Sequence, residues 1–247
     1  MLRRATSALP FPAARPMRGG MELPATIVFD LDGTLVDSAP DLTAALNVAL
    51  ADAGRPAIDP ATVRHLVGHG ARALIERGLT LTGGGGEAEV ARALPVFLDH
   101  YAAHVADGTR PYPGATSVLD ALAAHGCRLA ICTNKPVALS RALIAKLGWG
   151  ERFVANLGGD SLPVRKPDPA HLLATIAAAG GDPADAVLVG DTAVDVAAAR
   201  AAGVPVIVVA FGFSDRPATE LGADAVIGDF AELITVLTAP RLSRTSA

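Results

Sequence analysis

Cysteine is almost missing from this 247-residue chain: Cys127 and Cys132 are its only two. They stand five apart on what reads as one strand, so their side chains point to opposite faces. Neither a disulfide nor a metal-ligand pair is expected of them, and two small buried hydrophobes in a reducing compartment, the cytoplasm, fit that usage. Aromatics are scarce as well, at 4% against 51% hydrophobic residues overall, so the core must be built from Ala, Val, Leu and Ile. No run reaches the roughly 18 apolar residues of a membrane span, which predicts a soluble protein with no membrane partner. An excess of positive charge is lacking too. The formal net charge is −4, and because Arg3, Arg4, Arg15 and Arg18 place +4 in the first twenty residues, the remainder carries −8. An acidic body argues against nucleic acid as partner. An anionic substrate would have to be captured by local charges or a metal, not by a global field.

Residues 1–20 hold three prolines, four arginines, no acid and a terminal Gly19-Gly20. They lack the apolar stretch of a secretory signal. Their composition weakly resembles a transit peptide, but a disordered leader or a start upstream of Met17 or Met21 is the expectation, and they are set apart from the fold. Residues 38–110 show helical spacing without a strand: Leu42, Ala45, Leu46, Ala49 and Leu50 follow Pro40, then come patterns at 60–67, 71–77 and 87–105. Pro95 is expected to kink or divide the last of these. From Pro113 onward strands alternate with helices of about ten residues, which means βαβ crossovers and a parallel sheet. Short strands are expected at Arg128–Cys132, Phe153-Val154, Ala186–Val189 and Pro205–Val209. The predicted organisation is an α/β core from 21–37 and 111–240, a small inserted helical cap from 38–110, and a tail at 241–247.

Chemistry collects where the strands end. Thr26-Ile27-Val28-Phe29 is a β-rich apolar run suited to a strand buried on both faces. It stops at Asp30-Leu31-Asp32-Gly33-Thr34, two carboxylates one residue apart with a glycine for a sharp turn. Anions this close repel unless a cation separates them, and a hard ion with oxygen ligands such as Mg²⁺ is the candidate. Thr133-Asn134-Lys135 follows the next strand and Gly190-Asp191-Thr192 the one after. All three groups thus fall at the carboxyl ends of parallel strands, where an open α/β sheet forms its binding crevice. Asp191 and Asp195, four apart at a helix start, share a face; standing alone they would read as an N-cap and a solvated acid. Lys166 lies in Arg165-Lys166-Pro167-Asp168-Pro169, a loop two prolines make rigid, and spacing does not choose between Arg165 and Lys166 as the cation for the cluster.

Taken in order, Asp30-Leu31-Asp32-Gly33-Thr34, Thr133-Asn134, Lys166-Pro167 and Gly190-Asp191 with Asp195 resemble the four motifs of the haloacid dehalogenase-like phosphohydrolases, across residues 24–237. Val36–Leu42, Cys132–Pro136, Gly158–Pro163 with Lys166–Pro169, and Val67-Gly68-His69-Gly70-Ala71 further resemble the bacterial phosphoglycolate phosphatases. The Arg-rich leader and the glycines at 83–86 depart from that pattern without touching a motif. The resemblance implies a Rossmann-like core, a small cap, and Mg²⁺-dependent hydrolysis of 2-phosphoglycolate through an aspartyl-phosphate. By the same resemblance Asp30 is the nucleophile. Asp32 carries the proton and lends its backbone carbonyl to the metal, with Asp30 and Asp191 as the other ligands. Thr133 and Lys166 hold the phosphoryl group, and Asn134, Asp195 and Gly33 support the site. His69, Arg72 and Arg64 are the cap residues to test for contact with the leaving group, each equally explained as a solvated helix-face residue.

The implied partner is a small phosphorylated metabolite, and the implied assembly a monomer or homodimer. Two rival activities use the same motifs: a β-phosphoglucomutase-like isomerase, and a phosphatase for a sugar phosphate or pyrophosphate. A response-regulator receiver also sets Asp, Thr and Lys on a parallel sheet, but it is about half this length and has no helical insertion.

Overall fold

The computed structural model describes residues 23–239, so the leader and the tail lie outside the described residues. Strand β1 (Thr26–Phe29) runs into a tight turn and a short strand β2 (Val36–Asp37). The chain then leaves the core through α1 (Ala39–Asp52), α2 (Pro60–Arg64), α3 (Ala71–Leu81) and α4 (Glu87–Ala103), and returns through β3 (Arg110–Pro111). The two crossings are joined twice. β2 and β3 pair antiparallel, and the Asp41 carboxylate accepts hydrogen bonds from Gly108 N, Thr109 N and Thr109 Oγ1 at 2.6–2.8 Å.

The helical layer has a core of its own. Leu46, Leu50, Leu74, Ile75, Leu79, Phe97 and Tyr101 are all buried. Gly78 lets α3 approach α1 closely, for a Cβ there would fall 2.9 Å from Leu46 Cδ1. Helix α4 continues through Pro95 as one element, so the proline does not divide it. The glycine-rich loop at 83–86 is held by Arg55, which donates to Thr82 O and Gly84 O and pairs with Glu89 at 3.0 Å.

After α5 (Ala115–Ala124) the alternation expected from the sequence follows: β4 (Arg128–Cys132), α6 (Val137–Lys146), β5 (Ala155–Leu157), α7 (Pro169–Ala178), β6 (Ala186–Gly190), α8 (Ala193–Ala202), β7 (Val206–Val209), β8 (Ala225–Ile227) and α9 (Leu233–Leu237). The strand placed at Phe153-Val154 lies instead at 155–157, because Phe153 turns toward Trp149 and Val154 is 60% exposed. Six strands form one parallel sheet in the order β5-β4-β1-β6-β7-β8.

Successive residues alternate between faces. Ile27, Phe29, Leu129, Ile131, Val187 and Val189 face one apolar layer, and Val28, Ala130, Cys132 and Leu188 face the other with α7 and α8. Cys127 and Cys132 accordingly fall in opposite layers. The chain is an α/β protein with a helical insertion between β2 and β3. Among the described residues no helix is long and apolar enough to cross a membrane.

Candidate active site at the sheet edge

Register brings the site together. Phe29 pairs with Ile131 of β4 on one side and Val189 of β6 on the other, so Asp30, Thr133 and Asp191 all emerge just past the same edge. The central position of β1 makes this the point where connections diverge to either side, the usual crevice of such sheets. Asp30 N donates to Val189 O at 2.9 Å, and its own Oδ1 accepts from Leu31 N at 2.7 Å. The other oxygen, Oδ2, stands 3.0 Å from Lys166 Nζ.

Lys166 is buried and fixed at 2.6 Å from Asp195 Oδ1. Arg165 is exposed, so burial decides which of the two adjacent cations serves the cluster. Desolvation works against the Lys166 charge, yet the carboxylates of Asp195 and Asp30 outweigh it and hold the ammonium above the ordinary lysine range. Asp195 is filled by donors: its Oδ2 accepts from Asp191 N, Thr192 N and Thr192 Oγ1 at 2.7–3.3 Å, closing a capping box at the start of α8.

Asp191 is also buried, accepting from Thr34 Oγ1 at 2.9 Å on Oδ1 and from Phe213 N at 2.7 Å on Oδ2. Glycine is needed around it. A Cβ on Gly33, whose φ is +84°, would meet Asp191 Oδ2 at 2.2 Å, and one on Gly212 would meet Asp191 Cβ at 2.3 Å.

Ligand atoms of Asp30, Asp191 and Asp195 lie within 4.8 Å of one another. Burial, then Asp195 and Asp30, push the Asp191 carboxyl well above its usual range. Burial likewise raises Asp30 to about 6, against the opposing pull of Lys166. With Asp32, four carboxylates share two ammonium groups, Lys166 and Lys135, which leaves two negative charges in a desolvated site. A divalent cation fits that deficit, and Asp30 and Asp191 keep unused lone pairs to hold it, whereas those of Asp195 are spent.

Asp32 points the other way. Both its oxygens sit 3.0 Å from Lys135 Nζ, which also donates to the Tyr101 hydroxyl from α4 and lies 4.3 Å from the centre of that ring. Burial pulls the Lys135 ammonium below its ordinary range, and Asp32 opposes the shift. Thr133 Oγ1 accepts from Lys135 N at 3.2 Å, which leaves its own proton for a ligand. Asn134 spans the two layers, its Nδ2 donating at 3.0 Å both to Gly68 O of the cap and to Lys166 O of the core.

Between these groups and the cap lies a mostly apolar cavity of about 40 Å³, with Leu42, Val67, Leu74 and Phe97 among its walls. Asp30, Asp32, Thr133 and Asn134 line it, and Lys166 closes the buried side through Asp30. Three cap residues singled out by sequence stand elsewhere. Arg72 pairs with Glu87 on the surface, and Arg64 pairs with Asp37 and lies over Phe213. His69 lines a separate cleft with Arg77 and Arg165; burial and then Arg77 pull its pKa down. Lys135 and Tyr101 were not singled out. For Lys135 the signal was its place two residues after Thr133; for Tyr101 there was none, because nothing local in a helix marks one aromatic as the partner of a residue 34 positions away.

Known proteins resemble this chain in sequence and in fold. A haloacid dehalogenase-like hydrolase model matches residues 24–203. The phosphoglycolate phosphatase of Caulobacter vibrioides is 47% identical over 219 residues, covering 87% of this chain and 92% of that protein. That of Mesorhizobium japonicum is 47% identical over 221 residues, covering 89% and 97%. Among solved structures, a predicted phosphoglycolate phosphatase from Haemophilus somnus superposes with a TM-score of 0.82 at 33% identity, covering 88% of this chain and 99% of that one.

Proposed function

The chain belongs to the haloacid dehalogenase-like hydrolases and is a phosphatase, and we propose that it hydrolyses 2-phosphoglycolate to glycolate and phosphate with Mg²⁺ and a covalent intermediate on Asp30. The observation that carries this reading is the opposed orientation of two carboxylates one residue apart. Asp30 faces Lys166 and the metal-binding acids, and Asp32 faces Lys135 at the cap side.

An Asp30 oxygen attacks phosphorus, an O–P bond forms, and the bond from phosphorus to the ester oxygen breaks. Asp32 delivers the proton that the departing glycolate oxygen needs. It then takes a proton from the water that attacks the aspartyl-phosphate, which releases phosphate, restores the Asp30 carboxylate and returns Asp32 to its protonated form. Leu31 N and Lys166 Nζ hold the Asp30 carboxylate in one orientation, so no rotamer search precedes attack. The Thr133 hydroxyl proton and the Lys166 ammonium meet the charge that spreads over the phosphoryl oxygens. Mg²⁺ held by Asp30, Asp191 and, as the family resemblance implies, the Asp32 carbonyl would supply charge neutralisation among these anions and the phosphoryl group.

The cavity's small size favours a leaving group of a few heavy atoms over a sugar. The Asn134 bridge to Gly68 supports a cap that closes to exclude water from the first step. The enzyme would work in the cytoplasm, as a monomer or homodimer, on a small metabolite.

Phosphate release from phosphoglycolate, glucose 1-phosphate and pyrophosphate, ranked by kcat/KM with Mg²⁺, tests the assignment. Phosphoglycolate is expected to lead by at least tenfold. Interconversion of sugar phosphates without phosphate release would overturn it in favour of an isomerase. Mass spectrometry of protein quenched in acid during turnover should find the added phosphoryl group on Asp30.

A further inference from the structure

Hydrolysis of phosphoglycolate also needs a group that recognises the carboxylate of the leaving group. We propose that Lys135 and Tyr101 together form that receptor, an inference that rests on the phosphoglycolate assignment and deepens it.

An anion entering an apolar cavity needs a counter-ion or donors to replace its water. Among the residues that line this cavity Lys135 is the one cation, and the residue is only 5% exposed. The other basic residues near the cap face elsewhere: Arg64 and Arg72 are held by Asp37 and Glu87, and His69, Arg77 and Arg165 line a different cleft. Covalent geometry narrows the choice further. The phosphoryl group must lie at Asp30 and the ester oxygen at Asp32, its proton donor. In phosphoglycolate a single CH₂ separates ester oxygen from carboxylate, so the carboxylate oxygens fall within roughly 3–4 Å of the ester oxygen by standard bond lengths. That places them on the Asp32 side of the cavity, where Lys135 Nζ is 3.0 Å from both Asp32 oxygens.

The donors match an incoming carboxylate. An ammonium has three protons, so Lys135 can keep one on Asp32 while another turns to the substrate. Tyr101 accepts from Lys135, which leaves the phenolic proton to donate. The two groups come from different layers, Lys135 from the loop after β4 and Tyr101 from α4 in the cap. A substrate carboxylate would therefore find both donors only with the cap seated on the core, so recognition of the leaving group and closure of the site become one event. Both side chains act on the substrate, and Lys135 in addition positions Asp32.

The test is a cycle of enzyme variants against two substrates, phosphoglycolate and its neutral amide, phosphoglycolamide, in the Mg²⁺-loaded full chain. Wild type is expected to prefer the carboxylate. In Lys135→Met the preference should collapse by about 100-fold, the loss typical of removing one partner of a buried charge pair. Tyr101→Phe should reduce it by about tenfold, as for one hydrogen bond to a charged group. Lys135→Arg should restore part of what Lys135→Met loses. Equal losses on both substrates in Lys135→Met and Tyr101→Phe would overturn the proposal, reducing Lys135 to a support for Asp32. Should Lys135→Met fail to fold, Tyr101→Phe and Lys135→Arg decide it on the same ratio. A wild type that does not hydrolyse phosphoglycolate would sink the functional reading itself. A wild type that prefers it, with the preference intact in the variants, would sink this inference alone.

Discussion

Asp195 presents one carboxylate oxygen to Lys166 at 2.6 Å and gives the other to the first turn of its own helix. A residue that the family resemblance implies as a support of the site is thereby committed to aiming a lysine. Asp195→Asn should lower kcat about 10–100-fold with little change in KM, because Lys166 loses the partner that orients it toward the transition state. The midpoint of thermal unfolding should fall too, since the Lys166 ammonium stays buried with one carboxylate instead of two. An unchanged kcat would show that Asp30 alone orients Lys166.

Asp191 is predicted to behave differently. Adding Mg²⁺ at 100 times its dissociation constant should stabilise the wild type by about 2.7 kcal/mol, read as a rise in Tm. Asp195→Asn should keep most of that rise, and Asp191→Asn should abolish it. Gly33→Ala is expected to resemble Asp191→Asn, because its Cβ would fall 2.2 Å from Asp191 Oδ2 and displace that carboxylate.

Asp30 should trade stability for reactivity. Its carboxyl is raised to about 6, burial being the main cause, whereas the unfolded chain has it near 3.8. Between those values the folded state holds a proton that the unfolded state has lost, so the metal-free protein loses stability as pH rises through this window. Asp30→Asn should therefore end turnover yet stabilise the metal-free protein by about 1–3 kcal/mol above pH 6, with little gain near pH 4. Denaturant titrations in EDTA at the two pH values check both signs.

His171 should set an acid limit. It is buried behind the site, accepting from Lys166 N at 3.3 Å through Nδ1. Burial, then the Lys166 charge, pull it down to about 4. The unfolded chain takes up a proton near pH 6.5 that the folded chain refuses until about 4, so stability falls as pH drops across that range. His171→Gln should flatten the slope, sparing about 2 kcal/mol at pH 5 relative to wild type.

Much of this was legible without coordinates. Apolar runs ending in Asp30, Thr133 and Asp191 announce parallel strands and place their polar ends on one edge, because strand direction alone decides where such residues emerge. The helical block at 38–110 declares itself by spacing and by its lack of strands. Boundaries were less legible. The strand near Phe153 shifted two residues because whether Phe153 packs or pairs depends on Trp149, which no local pattern weighs.

The division between what sequence determined and what folding decided runs through the two adjacent basic residues Arg165 and Lys166. Order, spacing and residue type were enough for the α/β architecture, the helical insertion and the gathering of acidic residues at one sheet edge. Which cation enters the cluster was settled by burial, and Lys166 is inside. The partner of Asp32 was settled by a contact across 103 residues with Lys135, and Tyr101 joins it from 34 residues away. Local composition encodes strand, turn and helix because those depend on near neighbours. The charge on a buried carboxylate depends instead on what the far chain brings within about 4 Å of it, and only the packed structure supplies that.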